Sequence, residues 1–195
     1  MTIFIALAAA GGLSAAWFLG HLLPTYLLFA TPPLQADAVV LLLGPDEEAR
    51  RKQADELLAQ GWAKYLIVPY EGKVFETRVP GNLVTPQKAA AIARGIKTDF
   101  NRAYVQRTHI EMLQTRALME HIGGTRAVFV SSHYNLRRVN IMARRVFDPQ
   151  TYEMAYVPAA YDPPHAPWFL SWQDIQWVFS EWSKILWFLI YSPFV

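Results

Sequence analysis

Residues 38–44 read Ala-Val-Val-Leu-Leu-Leu-Gly, and this run decides the fold. Consecutive apolar side chains without polar alternation describe a strand buried on both faces, the setting of a parallel sheet covered by helices. Downstream, the spacing predicts a helix over Asp46–Gln60 ending at Gly61, a strand at Tyr65–Val68 (YLIV) and a helix over Pro86–Arg94. It then predicts a short strand at Ala103–Gln106 and a helix over Ile110–Ile122 stopped by Gly123-Gly124. A strand at Ala127–Ser131, a helix near Asn135–Val146 and a strand at Tyr152–Val157 follow. Strands spaced by helices of this length predict an α/β chain with a Rossmann-like, doubly wound, mostly parallel sheet of about five strands. Such sheets take ligands beyond the carboxyl ends of their strands, so the strand-to-helix turns are where chemistry is sought.

Upstream of the run, Met1 to Ala36 contain no Lys, Arg, Asp or Glu, and charge begins at Asp37. The stretch from Ile3 to Phe29 is long enough to cross a hydrocarbon core, which takes about 20 apolar residues in a helix. A cleaved signal peptide would carry a basic start, a shorter apolar core and a small-x-small cleavage site. Leu28-Phe29-Ala30 is a poor one. The expected organisation is therefore a transmembrane anchor (1–30), a stiff linker (31–36, with Thr31-Pro32-Pro33), an α/β domain (37–157), a Pro-rich linker (158–167) and an amphipathic C-terminal helix (168–195). Pro24 and Gly11-Gly12 fall inside the span, where membrane helices tolerate them. Arg50, Arg51 and Lys52 lie beyond the span, and positive-inside counting on them favours a cytoplasmic domain. The formal net charge of +2 gives no ground for a nucleic-acid partner, and the absence of Cys fits either side of a membrane.

At the other end, Trp168, Trp172, Trp177, Trp182 and Trp187 crowd one segment. On a helix, Trp168, Trp172, Ile175, Val178, Phe179, Trp182, Ile185 and Leu186 share an arc of roughly 140°. Two readings stand side by side. The helix closes the sheet, or its end, Ile185 to Val195, lies in a membrane interface, where Trp and Tyr prefer to sit. If both hold, the first half covers the sheet and the last turns meet the anchor.

Three turns carry candidate chemistry. After the first strand come Gly44, a position that lets a ligand approach the backbone, and Arg50; no glycine-rich phosphate motif is present. After the fourth strand come Ser131-Ser132-His133-Tyr134-Asn135-Leu136-Arg137-Arg138. Hydroxyls and backbone N–H groups at a helix start, with an Arg one turn on, suit a phosphate or carboxylate, and His133 is a candidate acid or base. The plainer alternative is that Ser132 caps the helix and the arginines face solvent or lipid. In the turn Gln106–Glu111, His109 and Glu111 are a pair suited to proton transfer, but Thr108 with Glu111 also matches a capping box. His109-x-Glu111 is not a metal motif and His121 is too distant to complete one, so no metal and no cofactor is assigned.

Taken together, these turns resemble the SanA/YdcF/ElyC family of bacterial envelope proteins. The resemblance rests on Asp37–Gly44, on Arg50, Ala54, Leu57 and Gly61-Trp62-Ala63, on Thr108 to Glu111, on Val130–Arg138, and on Glu181-Trp182-Ser183-Lys184, which is similar to a terminal E-x-x-K helix. It covers Asp37 to about Tyr191. Pro69-Tyr70-Glu71-Gly72 replaces the family's Ser-Gly-Gly, Asn135 stands where the family has His, and His109 where it has Thr. The resemblance implies a Rossmann-like fold, single-pass anchoring in a bacterial inner membrane with the domain in the periplasm, and a role in cell-wall or surface-polysaccharide metabolism.

Two functions follow as expectations. In the first, the protein binds an anionic, phosphorylated small molecule or lipid-linked carrier. Gly44, Arg50, Ser131, Ser132, Asn135 and Arg138 hold it, and Glu111 with His109 or His133 moves any proton. Arg138→Ala is then expected to abolish binding at nearly unchanged stability. In the second, the chain is a non-catalytic accessory subunit that meets the lipid bilayer and membrane-protein partners through residues 1–30 and 168–195.

Overall fold

The computed structural model describes residues 20–44, 46–77, 90–92, 105–159 and 171–194, together with Gly11, Gly12, Ser14 and Trp17. Six strands form one sheet: β1 (Ala38–Leu41), β2 (Tyr65–Val68), β3 (Lys73–Glu76), β4 (Ala90–Ile92), β5 (Arg126–Ser131) and β6 (Glu153–Pro158), in the order β4-β3-β2-β1-β5-β6. Parallel pairing joins β2, β1, β5 and β6, while β3 runs antiparallel to β2 and to β4. The helices are α1 (Glu47–Ala59), α2 (Arg107–Ile122), α3 (His133–Val146) and α4 (Trp172–Tyr191), preceded by an N-terminal helix that includes residues 20–27.

The pleat of β1 explains the two layers. Val39 and Leu41 point to the face covered by Ala54, Leu57 and Leu58 of α1. Ala38 and Val40 point to the other, where Met112, Leu118 and Met119 of α2, Leu136, Val139 and Met142 of α3 and Phe188 of α4 close the core. Helices on both faces bury every residue of β1, which is why the run shows no alternation. Asp37, just before it, latches the neighbouring strand: its Oδ2 accepts from the backbone N–H of Thr125 (2.8 Å) and Arg126 (2.9 Å). Gly61 (φ 77) and Gly123 (φ 68) stop α1 and α2 in the left-handed region that favours glycine.

Two expected elements differ. Of the helix expected over Pro86–Arg94, residues 90–92 are described and form β4, paired through Val74↔Ile92 and Glu76↔Ala90. Pairing with the exposed edge of β3 outweighs the helix propensity of two alanines. Of the strand expected at Ala103–Gln106, Val105 and Gln106 are described and are not in the sheet; Gln106 is the N-cap of α2. The expected Pro-rich linker lies outside the described residues except Pro158, which ends β6, and the buried Ala159, whose N–H donates to the Ser131 carbonyl (3.0 Å).

The arc expected on the last helix is also redrawn. Asp174, Val178, Glu181, Ile185, Phe188 and Tyr191 are buried, whereas Trp172, Phe179 and Leu186 are exposed. The buried set follows the narrow three-four repeat of a helix–helix seam. The N-terminal helix supplies the partner: Leu27 is fully buried against Val178 and Ile185, and Trp182 Nε1 donates to the Leu23 carbonyl (3.1 Å). The contact therefore involves the middle of α4, and its last turns, through Phe188 and Tyr191, enter the main core. No helix among the described residues is long and apolar enough to cross a membrane.

Candidate functional site

The strand order reverses direction at β1: its crossover through α1 leads to β2 on one side, and β5 lies on the other. At the carboxyl ends of β1 and β5, the switch point where doubly wound sheets hold ligands, lies a cavity of about 680 Å³. Among the described residues, the fourth-strand turn opens onto this cavity. Gly44, Arg50, Glu111, Ser132, His133, Asn135 and Arg138 all line the cavity. Ser131 and His109 do not. The Ser131 hydroxyl is fully buried and accepts from Asn135 Nδ2 (2.9 Å). His109 packs against Phe188 and Tyr191, with Nδ1 3.2 Å from the Tyr191 hydroxyl, and burial pushes its pKa down.

Arg50 ties the first turn to the fourth. Its guanidinium donates to the Leu42 carbonyl (2.9 Å) and to Ser132 Oγ (3.1 Å from Nε), and Ser132 Oγ donates onward to Asp46 Oδ2 (3.0 Å). A Cβ on Gly44 would stand 2.8 Å from Arg50 Cζ, so this glycine makes room for Arg50, not only for a ligand. The Ser132 hydroxyl, engaged by Arg50 and Asp46, does not cap α3.

Arg138 ties the third turn, the fourth turn and α4 together. It is buried, and donates to Glu181 Oε2 (2.7 Å), to Thr108 Oγ1 and to Asn135 Oδ1. Burial pushes the Glu181 carboxyl up, but Arg138 and Lys184 outweigh it and hold the carboxyl below its ordinary range. Thr108 therefore serves Arg138, and no side chain caps α2, so the capping box is not formed. Arg138 is a buried structural ion pair as well as a cavity wall. The expectation that its truncation leaves stability unchanged is corrected accordingly.

Glu111 is the chemically distinctive group. It is 4 % exposed, and its Oε1 has no hydrogen-bond partner; Arg107 Nε lies 3.7 Å away. Burial pushes its pKa up to about 7, against the opposing pull of Arg107, Arg138 and Arg50. A carboxyl of this kind exchanges a proton near neutral pH, as a general acid or base must.

Several lining residues were not singled out in the sequence. Arg107 is exposed at the rim and stacks on Tyr70, its Cζ 3.9 Å from the ring centroid. Lys184 and Glu181 come from α4, and Gln106 donates from Nε2 to the Lys184 carbonyl (2.6 Å) while its own Oε1 is buried without a partner. The signal for the α4 pair was its E-x-x-K spacing, which carries no direction by itself. Among the described residues, no group of three or more His, Asp or Glu is placed to hold a metal ion.

Compared with protein-family models, with curated proteins and with solved structures, the chain finds no match.

Proposed function

We propose that the chain is a membrane-tethered envelope protein that binds an anionic, phosphorylated small molecule, or the phosphorylated head of a lipid-linked carrier, in the switch-point cavity. The observation that carries this reading is the charge of the lining. Arg50, Arg107, Arg138 and Lys184 face Asp46, Glu111 and Glu181, and Glu111 is held close to neutrality. Positive charge is left over in a concave, partly dry site, which favours an anion. Arg50 and Arg138 are committed to protein partners and act as fixed background charge, and Lys184 is paired with Glu181 (2.7 Å), so Arg107 at the rim makes the direct contact. The tether rests on the uncharged stretch 1–36, and the periplasmic side and polysaccharide context on the family resemblance alone. The second reading, an accessory subunit without catalysis, is favoured by the position of His109 outside the cavity, which leaves Glu111 and His133 to carry any proton.

The test uses the full chain in detergent, titrated with inorganic phosphate and pyrophosphate and followed by thermal shift and phosphorus NMR. Arg107→Ala should weaken the response about 10-fold or more, the worth of one charge-assisted contact. Arg144→Ala, on the exposed end of α3 away from the cavity, should respond as the parent does. Equal loss in both variants, or no response from the parent, rejects the site.

A further inference from the structure

Along α4 the exposed surface changes character at one point. Before Ile185 it is mixed: Trp172 and Phe179 alternate with Gln173, Gln176 and Ser183. From Ile185 to Val195 there is no Lys, Arg, Asp or Glu, and the outward positions are Leu186, Trp187, Leu189 and Ile190, followed by Phe194. Leu186, Leu189, Ile190 and Phe194 are 55 %, 53 %, 62 % and 81 % exposed. The inward positions Ile185, Phe188 and Tyr191 are buried in the protein. The terminal turns are therefore apolar on every side, with only one side covered by protein. A helix of that kind belongs in an apolar solvent.

The packing of the N-terminal helix says which solvent. Leu27 sits against Val178 and Ile185, and Leu23 meets Trp182 one turn away. Leu28 and Trp177 both line the cavity. The N-terminal helix that packs on α4 here carries no Lys, Arg, Asp or Glu, and among its described residues Trp17 and Leu22 are exposed.

We infer that the outward face of the last turns of α4, formed by Leu186, Trp187, Leu189, Ile190 and Phe194, lies in a lipid bilayer beside the N-terminal helix, while Phe188 and Tyr191 stay in the protein core. Attachment is then two-pronged, and the cavity is held at the membrane surface. From Lys184 in the cavity wall to Ile190 is about 9 Å at 1.5 Å per residue, so the basic cavity faces the headgroup layer. The inference rests on the reading of residues 1–30 as a membrane tether, and the experiment separates the two.

The chain has no Cys, so single-cysteine variants report one position each. Ile190→Cys and Leu186→Cys, with Gln176→Cys and Gln173→Cys as controls, are labelled with an environment-sensitive fluorophore in the full chain. The labelled proteins are reconstituted into phosphatidylcholine–phosphatidylglycerol vesicles with and without lipid-borne spin quenchers, and floated on a density gradient. The expected result is flotation of all four, with labels at 186 and 190 quenched by the lipid spin label at least threefold more than those at 173 and 176. Flotation with all four labels equally open to aqueous iodide overturns the inference and leaves the tether standing. Absence of flotation overturns both. Shielding at 190 accompanied by a short spin–spin distance between two copies would show a protein interface, and also overturns it.

Discussion

Arg138 draws together Thr108 on α2, Asn135 on its own helix and Glu181 on α4, three elements that share no sequence neighbourhood. Removing it leaves Glu181 largely dry, with only the partly exposed Lys184 (2.7 Å) as a counter-charge. Arg138→Ala should therefore cost about 3–5 kcal/mol in denaturant unfolding, the usual penalty for breaking one side of a buried pair. Replacing both residues with apolar groups should recover much of that loss, and failure to recover it would mean that the pair is not the source. Glu111 gives the complementary case. Its carboxyl has an ordinary pKa near 4.5, against about 7 in the fold. Between these values the folded state binds the extra proton, so this group's contribution is intact below about pH 4.5 and is lost as pH rises through 7. The full swing is about 3 kcal/mol. Asp55, pushed up to about 6 by burial, slopes the same way, so the informative quantity is the difference between the parent and Glu111→Gln. That variant should be the more stable of the two at pH 8, with the gap closing by pH 5; a gap independent of pH would show that Glu111 is charged in the fold.

At the scale of elements, the seam between the N-terminal helix and α4 is built from few residues, and Leu27 is its fully buried member. Leu27→Ala should cost about 2–4 kcal/mol. Because Arg137 also donates to the Tyr26 carbonyl (2.7 Å) and stacks over Phe29, the loss should appear in hydrogen exchange as local opening of residues 20–30 before the sheet responds. If β1 opens first, the seam does not act as a separate unit. The same scale explains what could be read in the chain beforehand. β1, β2 and β5 were legible because strands covered on both faces must be largely continuous apolar runs, and β6 from its short run Met-Ala-Tyr-Val. β3, Lys-Val-Phe-Glu, was not, since four residues after a 3₁₀ turn carry too little pattern. β4 was read as helix because Ala-Ala-Ile takes its conformation from the edge of β3, a partner invisible to local propensity. The turns that bear Arg50 and Ser132 were found from strand position alone. What could not be found was their bonding to each other, which depends on β5 lying beside β1 across a long separation in sequence. His109 failed as a site residue for a related reason: a one-residue step along a helix turns a side chain by about 100°, and that step separates it from the cavity-lining Thr108.

For the molecule as a whole, the site has no local existence. Its walls come from the ends of β1 and β5, the start of α2 and the middle of α4, so an occupant that binds there binds only the folded chain. Its stabilising effect should grow as the logarithm of its concentration above the dissociation constant, and a linear response would mark nonspecific screening instead.

One feature at the margin reaches beyond the site. β6 is an edge strand, and Thr31 lies on it, giving its N–H to the Tyr156 carbonyl (2.9 Å) and taking the Tyr156 N–H on its own hydroxyl (2.8 Å). The segment between the N-terminal helix and β1 thus guards one of the two edges, β6 and β4, at which this sheet could recruit another strand. A protease that cut between residues 20 and 31 would do more than detach the N-terminal helix: it would unmask a sticky edge, and the remaining fragment should build into soluble oligomers or fibrils that the intact chain does not form.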